Sequence, residues 1–236
     1  MSVPLKGKII GGFGDAPPPQ LASLRHLWRF IFILIGIAAA AFLQGHFTTP
    51  GRIGSRIPLY FALIAIEILL TWFVAIGVRP RGYRLRDLLG RRWRSFCDGC
   101  NDLILAIGTI VVLRLCTRAI YFFFGRWSSN IGFLLPTTSR ESDVWIGVAI
   151  TAGFCEELVY RGYLQTQFWS LLKNPWSAVA LQAVVFGSAH VYQGWKAAAV
   201  TAIYGAVFGT LATWRRSIIP GIIAHSIVDI IGGLRL

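Results

Sequence analysis

PLYFALIAIEILLTWFVAIGV, residues 58–78, carries a single charged side chain, Glu67. Crossing the hydrocarbon core of a bilayer takes about 20 apolar residues in a helix. The lipid offers no partner to backbone N–H and C=O groups, so such a run must satisfy them itself, as a helix does. Six further runs share this character, at roughly 27–44, 102–124, 144–172, 176–191, 197–214 and 217–235. The fifth is short, and the fourth carries polar residues in its second half. The reading is an all-α, polytopic membrane protein with about seven transmembrane helices. A barrel would instead show strands of about 10 alternating residues. No internal repeat stands out, which argues against a transporter built from repeated halves.

The composition agrees. Of 236 residues, 55% are hydrophobic and 14% charged, whereas a soluble domain carries about 25% charged residues. The net charge of +13 does not indicate nucleic acid. Seven arginines lie between Arg79 and Arg94 in a short connection between apolar runs, the pattern of a cytoplasmic loop beside membrane lipid. Cys97 and Cys100 form a lone CxxC, short of the four ligands a structural zinc needs. Cys116 and Cys155 lie in apolar runs, as free buried thiols do.

Three regions follow. Residues 1–24, with GGFGD and APPPQ, read as a mobile tail. Residues 25–140 hold N-terminal transmembrane helices and the basic loop 79–94. Residues 141–236 hold a catalytic helical core with a polar cavity. The first apolar run begins near Leu27, too late for a signal peptide. Lys6, Lys8 and Arg25, the 79–94 loop, Lys173 and Arg215/Arg216 fall on one side by the helix count; Arg52, Arg56, Arg126, Arg140 and Lys196 fall on the other. Basic loops favour the cytoplasm, so the expected location is a bacterial inner (plasma) membrane with the N-terminus cytoplasmic.

The third region holds polar residues that are costly in lipid, at about 2.5–3.5 kcal/mol for a charge at mid-membrane. Glu156-Glu157-Leu158-Val159-Tyr160-Arg161-Gly162 places Glu157 and Arg161 four apart on one helix face, where they can pair. Glu156 points away and stays free for chemistry. Phe186-Gly187-Ser188-Ala189-His190 puts small residues before a histidine, so another helix can approach closely. His225-Ser226-Ile227-Val228-Asp229 sets an imidazole and a carboxylate four apart. Each has a bland reading: a structural ion pair, a lone interhelical histidine, a packing hydrogen bond. Geometry links the first two. Lys173-Asn174-Pro175 reads as a turn, and Glu156 and His190 each lie 17 positions from Lys173, so they should face each other. The depths conflict, however. His225 lies roughly 14 Å past Arg216, and His190 roughly 25 Å from Lys173, at helical rise. Either the hairpin protrudes into the cytoplasm, or the connection 191–196 dips inward and lines a cavity.

Glu-Glu-x-x-x-Arg, Phe-x-x-x-His and His-x-x-x-Asn/Asp, in that order, resemble the CPBP family. These are the CAAX proteases and bacteriocin-processing enzymes, also called the Abi family, and they include type II CAAX prenyl endopeptidases. The resemblance covers roughly 143–233. It implies an intramembrane metalloprotease or glutamate peptidase, with catalytic roles on Glu156, Glu157, Arg161, His190, His225 and Asp229. Asp229 departs from the commoner Asn. The implied function is hydrolysis of peptide bonds in membrane-associated substrates, either CAAX-type processing of prenylated proteins or peptide maturation.

Two mechanisms fit these residues. In one, Glu156 is the base for water with His190 helping to hold it, His225 and Asp229 stabilise the oxyanion, and Arg161 holds Glu157. In the other, His190 and His225 with Glu157 or Asp229 bind Zn2+, which lowers the pKa of its bound water to about 7. No HExxH or GxSxG is present. The rival classes are a proton-coupled transporter using the same residues, and a non-catalytic immunity protein. Glu67, Arg114 and Arg118 also lie in apolar runs; Glu67 could pair with either arginine, and the bland reading of such a pair is structural glue. Gly205-x-x-x-Gly209 is a helix-packing motif expected to act within the chain. The sequence does not set the oligomeric state.

Overall fold

The computed structural model describes residues 9–47, 54–126 and 131–234. Residues 1–8 of the expected tail (with Lys6 and Lys8), Arg52 and the last residue of the 217–235 run lie outside them.

Each apolar run is a helix, giving seven among the described residues. They are α1 (Leu24–Phe47), α2 (Ile57–Val78), α3 (Phe96–Phe124), α4 (139–172), α5 (Pro175–Ala189), α6 (Trp195–Arg215) and α7 (Ile219–Leu234). The helix starts follow local chemistry. The Ser95 hydroxyl accepts from Asp98 N at the head of α3, and the Thr138 hydroxyl accepts from Glu141 N at the head of α4. Between α4 and α5, Lys173 turns left-handed at φ 59°, Asn174 Oδ1 caps Ser177 N, and Pro175 opens the next helix. This is the turn expected from the sequence.

Four helices are long and apolar enough to cross a membrane: α1, α2 with its short extension to Arg81, α3 and α6. α5 and α7 are shorter, with 15 and 16 residues. α4 is long but polar at its middle, where it changes pitch. Glu157–Gln165 form a π-helix between the α-helical stretches Ser139–Glu156 and Thr166–Leu172. π segments are rare, and they recur at functional sites. All nine residues of this one are buried.

α4 is the central element. It packs on α2 and on α7, α5 and α6 form a close hairpin, and α3 lies against α7. Missing side chains permit these approaches. A Cβ on Gly187 would stand 2.7 Å from Ala198 O, and one on Gly205 3.0 Å from Ala183 Cα. The 205–209 glycine pair therefore serves the α5–α6 contact inside the chain.

The basic loop and the α6–α7 turn meet directly. Arg91 N donates to Arg216 O at 2.7 Å, and Ile218 N donates to Leu89 O at 3.1 Å. The 79–94 loop and Arg215/Arg216 thus share one end of the bundle, as the charge pattern required. Arg215 is neutralised there by Asp102 at 2.6 Å. At the other end Arg56 lies 3.7 Å from Glu141.

The expectation of a mobile tail over 1–24 is corrected for residues 9–23. Ile9, Ile10, Leu21 and Ala22 are buried. Gln167 on α4 accepts from Leu21 N and Ala22 N through Oε1 and donates through Nε2 to Ala22 O. Phe13 stacks on Trp176 with centroids 4.1 Å apart. A Gly- and Pro-rich segment makes no core of its own, but the few apolar residues in this one bind a surface already built by the α4–α5 hairpin.

Candidate active site

The π segment of α4 sets the site. Glu157 and Arg161 are both fully buried, and Arg161 Nη1 lies 2.9 Å from Glu157 Oε1. The guanidinium is otherwise enclosed by aromatic faces, 4.3 Å from the Phe186 ring centroid and 5.2 Å from that of Phe208. Such cation–π contacts offset part of the cost of burying its charge. The same Glu157 Oε1 lies 2.9 Å from His225 Nδ1. A carboxylate, a guanidinium and an imidazole thus join α4 to α7. Gly221, one turn before His225, has no side chain where a Cβ would stand 2.9 Å from Glu157 Oε2.

His225 is 6% exposed. Its ring stacks on Phe208 at 5.3 Å and meets the edge of Phe186 at 6.0 Å. Its second nitrogen, Nε2, faces two more carboxylates, Asp229 Oδ2 at 3.5 Å and Glu156 Oε2 at 3.7 Å. A ring with acceptors at both nitrogens is satisfied when both carry hydrogen. Asp229 is held from behind, since its carbonyl accepts from Trp145 Nε1 at 3.0 Å.

His190 ends α5 as its cap residue, with φ −101° and ψ 12°. Its Nδ1 lies 2.8 Å from Phe186 O, which leaves Nε2 for other work. The short turn Val191–Gln193 follows, and Tyr192 and Gln193 line the same cavity as His190. The depth conflict in the sequence thus resolves by an inward connection. The hairpin also extends past the basic loop: a Cβ on Gly162 would stand 2.9 Å from Leu88 O, and the tip beyond it carries the 9–23 segment.

The six residues singled out in the sequence separate into two groups. Glu156, His190, His225 and Asp229 line one cavity of about 650 Å³. Glu157 and Arg161 lie behind them, with no exposed side-chain surface. Away from the polar cluster the cavity is apolar, bounded by Leu34, Ile37, Leu63, Ile66 and Leu134. Neither serine beside a histidine is placed as a nucleophile. Ser188 is exposed on α5, and Ser226 packs where a Cβ on Gly153 would stand 2.8 Å from its backbone N.

Residues 141–231 match the family model described as type II CAAX prenyl endopeptidase, Rce1-like. The similarity is confined to this segment, less than half of the chain. No curated protein and no solved structure matches the chain. The match agrees within two residues at each end with the 143–233 resemblance read from the motifs, and it contains all six site residues. At the level of this family the chemistry is that of a membrane endopeptidase acting on protein substrates.

Zinc chemistry would need ligands from separate helices of this CAAX-protease segment. Among the described residues no group of three or more His, Cys, Asp or Glu side chains is arranged to hold one ion. Of the expected set, His190 and His225 with Glu157 or Asp229, it is Glu157 that is engaged elsewhere. Its Oε1 is already shared by Arg161 and His225 Nδ1.

One site residue was misassigned from the sequence. Glu67 on α2 lines the cavity with the CAAX-protease residues and does not meet Arg114 or Arg118, which are exposed on α3. The signal was present, as the one charge in α2, but the sequence does not say which neighbour α2 packs against.

Proposed function

We propose that this protein is an intramembrane endopeptidase in which Glu156 activates water, without a metal, against a peptide bond held in the cavity. The observation that supports it is the convergence of Glu156, His190, His225 and Asp229 on one cavity, with Glu157 and Arg161 fixing His225 from behind. The Glu156 carboxylate takes a proton as the water oxygen bonds to the scissile carbonyl carbon. His190, through Nε2, helps to hold that water. The carbonyl oxygen gains negative charge and accepts from His225 Nε2–H, the ring being held in its donor form by Glu157 at the other nitrogen. The C–N bond then breaks as the proton on Glu156 passes to the leaving amine. General acid–base catalysis of this kind contributes about 10²–10⁴-fold.

The apolar stretch of the cavity suits a substrate that enters from the membrane, such as a lipid-modified or membrane-bound peptide. The test is cleavage of a membrane-partitioning fluorogenic peptide by detergent-purified protein, comparing wild type with Glu156→Ala and His190→Ala, each with and without a chelator. Cleavage lost in both variants and indifferent to the chelator is the expected result. Chelator sensitivity would overturn the metal-free mechanism. No cleavage across a broad peptide library, with proton flux in liposomes instead, would replace the peptidase with a transporter.

A further inference from the structure

Between Ile57 and Val78 the only charged side chain is Glu67. A lone carboxylate in such a helix is costly, so its surroundings must answer for it. α3 packs on α7 and α6, whereas α2 packs on α4. Glu67 therefore faces Glu156. The two carboxyl groups are close enough to interact directly, and both line the cavity beside His190, His225 and Asp229. Glu67 Oε2 and Glu156 Oε2 are buried, and among the described residues neither has a hydrogen-bond donor.

Ionised carboxylates only accept hydrogen bonds. Two of them in contact away from water repel, and one proton between them turns the contact into a strong hydrogen bond. Such a proton belongs to the pair rather than to either residue. The two nearby charged donors have other carboxylates to serve. Arg161 is committed to Glu157 behind the cavity wall, and His225 Nε2 is shared by Glu156 and Asp229 at 3.7 and 3.5 Å.

We propose that Glu67, on a helix outside the matched CAAX-protease segment, is a positioning residue for the water-activating Glu156, holding it through a shared proton. Glu67 fixes the rotamer of Glu156, and the oxygen of Glu156 not engaged in that bond faces the substrate water. The N-terminal half thus contributes to the reaction without touching the reacting atoms. This inference rests on the peptidase reading.

The experiment compares wild type, Glu67→Gln and Glu67→Ala by peptide cleavage, and wild type, Glu67→Gln and Glu156→Gln by infrared spectroscopy at neutral pH. A Gln amide donates permanently, so Glu67→Gln keeps most of the kcat. Glu67→Ala lowers kcat about 10- to 100-fold, the usual cost of losing a group that orients a catalytic one, with KM unchanged. The carbonyl stretch of a protonated carboxyl, present in the wild type, is lost in Glu67→Gln and lost or shifted in Glu156→Gln. Glu67→Ala cleaving as fast as the wild type would overturn the positioning role and leave the peptidase standing. Should Glu67→Ala fail to fold, Glu67→Gln, close in shape to Glu, carries the test: loss of its kcat would overturn the role. A carboxyl band unchanged by Glu67→Gln would overturn the shared proton even if no peptide is cleaved, an outcome that by itself sinks the peptidase reading.

Discussion

Glu157 Oε1 stands 2.9 Å from His225 Nδ1, while the adjacent Glu156 reaches the opposite nitrogen of the same ring. Two neighbours in the chain thus address one imidazole from two sides. The switch from α- to π-helix between them sends one carboxylate into the wall and leaves the other on the cavity.

This division predicts different outcomes for the two glutamates. Glu156→Gln lowers kcat by about 100-fold or more with thermal unfolding in detergent unchanged. Glu157→Gln leaves the Arg161 charge buried without its partner and costs roughly 3–5 kcal/mol of stability, so both unfolding and activity change. Equal destabilisation by the two variants would contradict the division.

Asp229 is the point at which the third motif carries an acid where Asn is commoner. Its Oδ2 lies 3.5 Å from His225 Nε2, a place an amide oxygen can also fill. Asp229→Asn is expected to retain cleavage, and Asp229→Leu to lose it. If Asn is as damaging as Leu, the negative charge itself is required.

Gly153 sets the separation of α4 from α7. A Cβ there would stand 2.8 Å from Ser226 N and 3.0 Å from Ser226 Cα, both backbone atoms. Gly153→Ala must push the helix bearing His225 away from the helix bearing Glu156. The expected cost is about 1–3 kcal/mol, with a fall in kcat larger than any change in KM. Unfolding curves and steady-state kinetics on the same preparation check both.

Glu141 precedes the apolar part of α4 and clasps the connection that carries Arg56. It accepts from the backbone N–H groups of Arg56 and Thr137 and from the Thr137 hydroxyl. The Arg56 N–H first, then that of Thr137, hold its carboxyl down at about 2. A carboxylate lowered on folding stabilises the fold fully above its ordinary value of 4.5, and that stability is lost as pH falls towards 2. The stability difference between wild type and Glu141→Gln should therefore be constant from neutral pH to about pH 5 and shrink below it. Denaturant unfolding across that range measures it, and a difference that grows on acidification would have the wrong sign.

Much of this was legible in the sequence because lipid makes strong demands. Seven apolar runs became seven helices, since a chain in hydrocarbon has few other ways to satisfy its backbone. The i,i+4 pairs Glu157/Arg161 and His225/Asp229 were legible for the same local reason. What escaped was tertiary. The π-helical segment from Glu157 to Gln165 packs on α2, α5 and α6, contacts that the local sequence does not declare. Glu67 was placed against arginines on the next helix along the chain, α3, because composition does not state that α2 lies on α4. Residues 9–23 read as tail because Gly and Pro dominate them, while the apolar residues that bind are sparse and their polar receptor, Gln167, lies on a distant helix.

That last attachment also constrains how the molecule is assembled. Leu21 and Ala22 are bound by a side chain 146 and 145 positions later, so they are synthesised long before their receptor exists. Contacts this distant in sequence close late. Once closed, they tie the chain just ahead of α1 to the end of the bundle where the α4–α5 turn lies. An α1 inserted the wrong way round would carry its leading segment to the opposite face, where Gln167 is out of reach. The clasp can therefore close only when α1 and the α4–α5 hairpin have the relative sense seen here, so it fixes the first helix against the rest of the bundle.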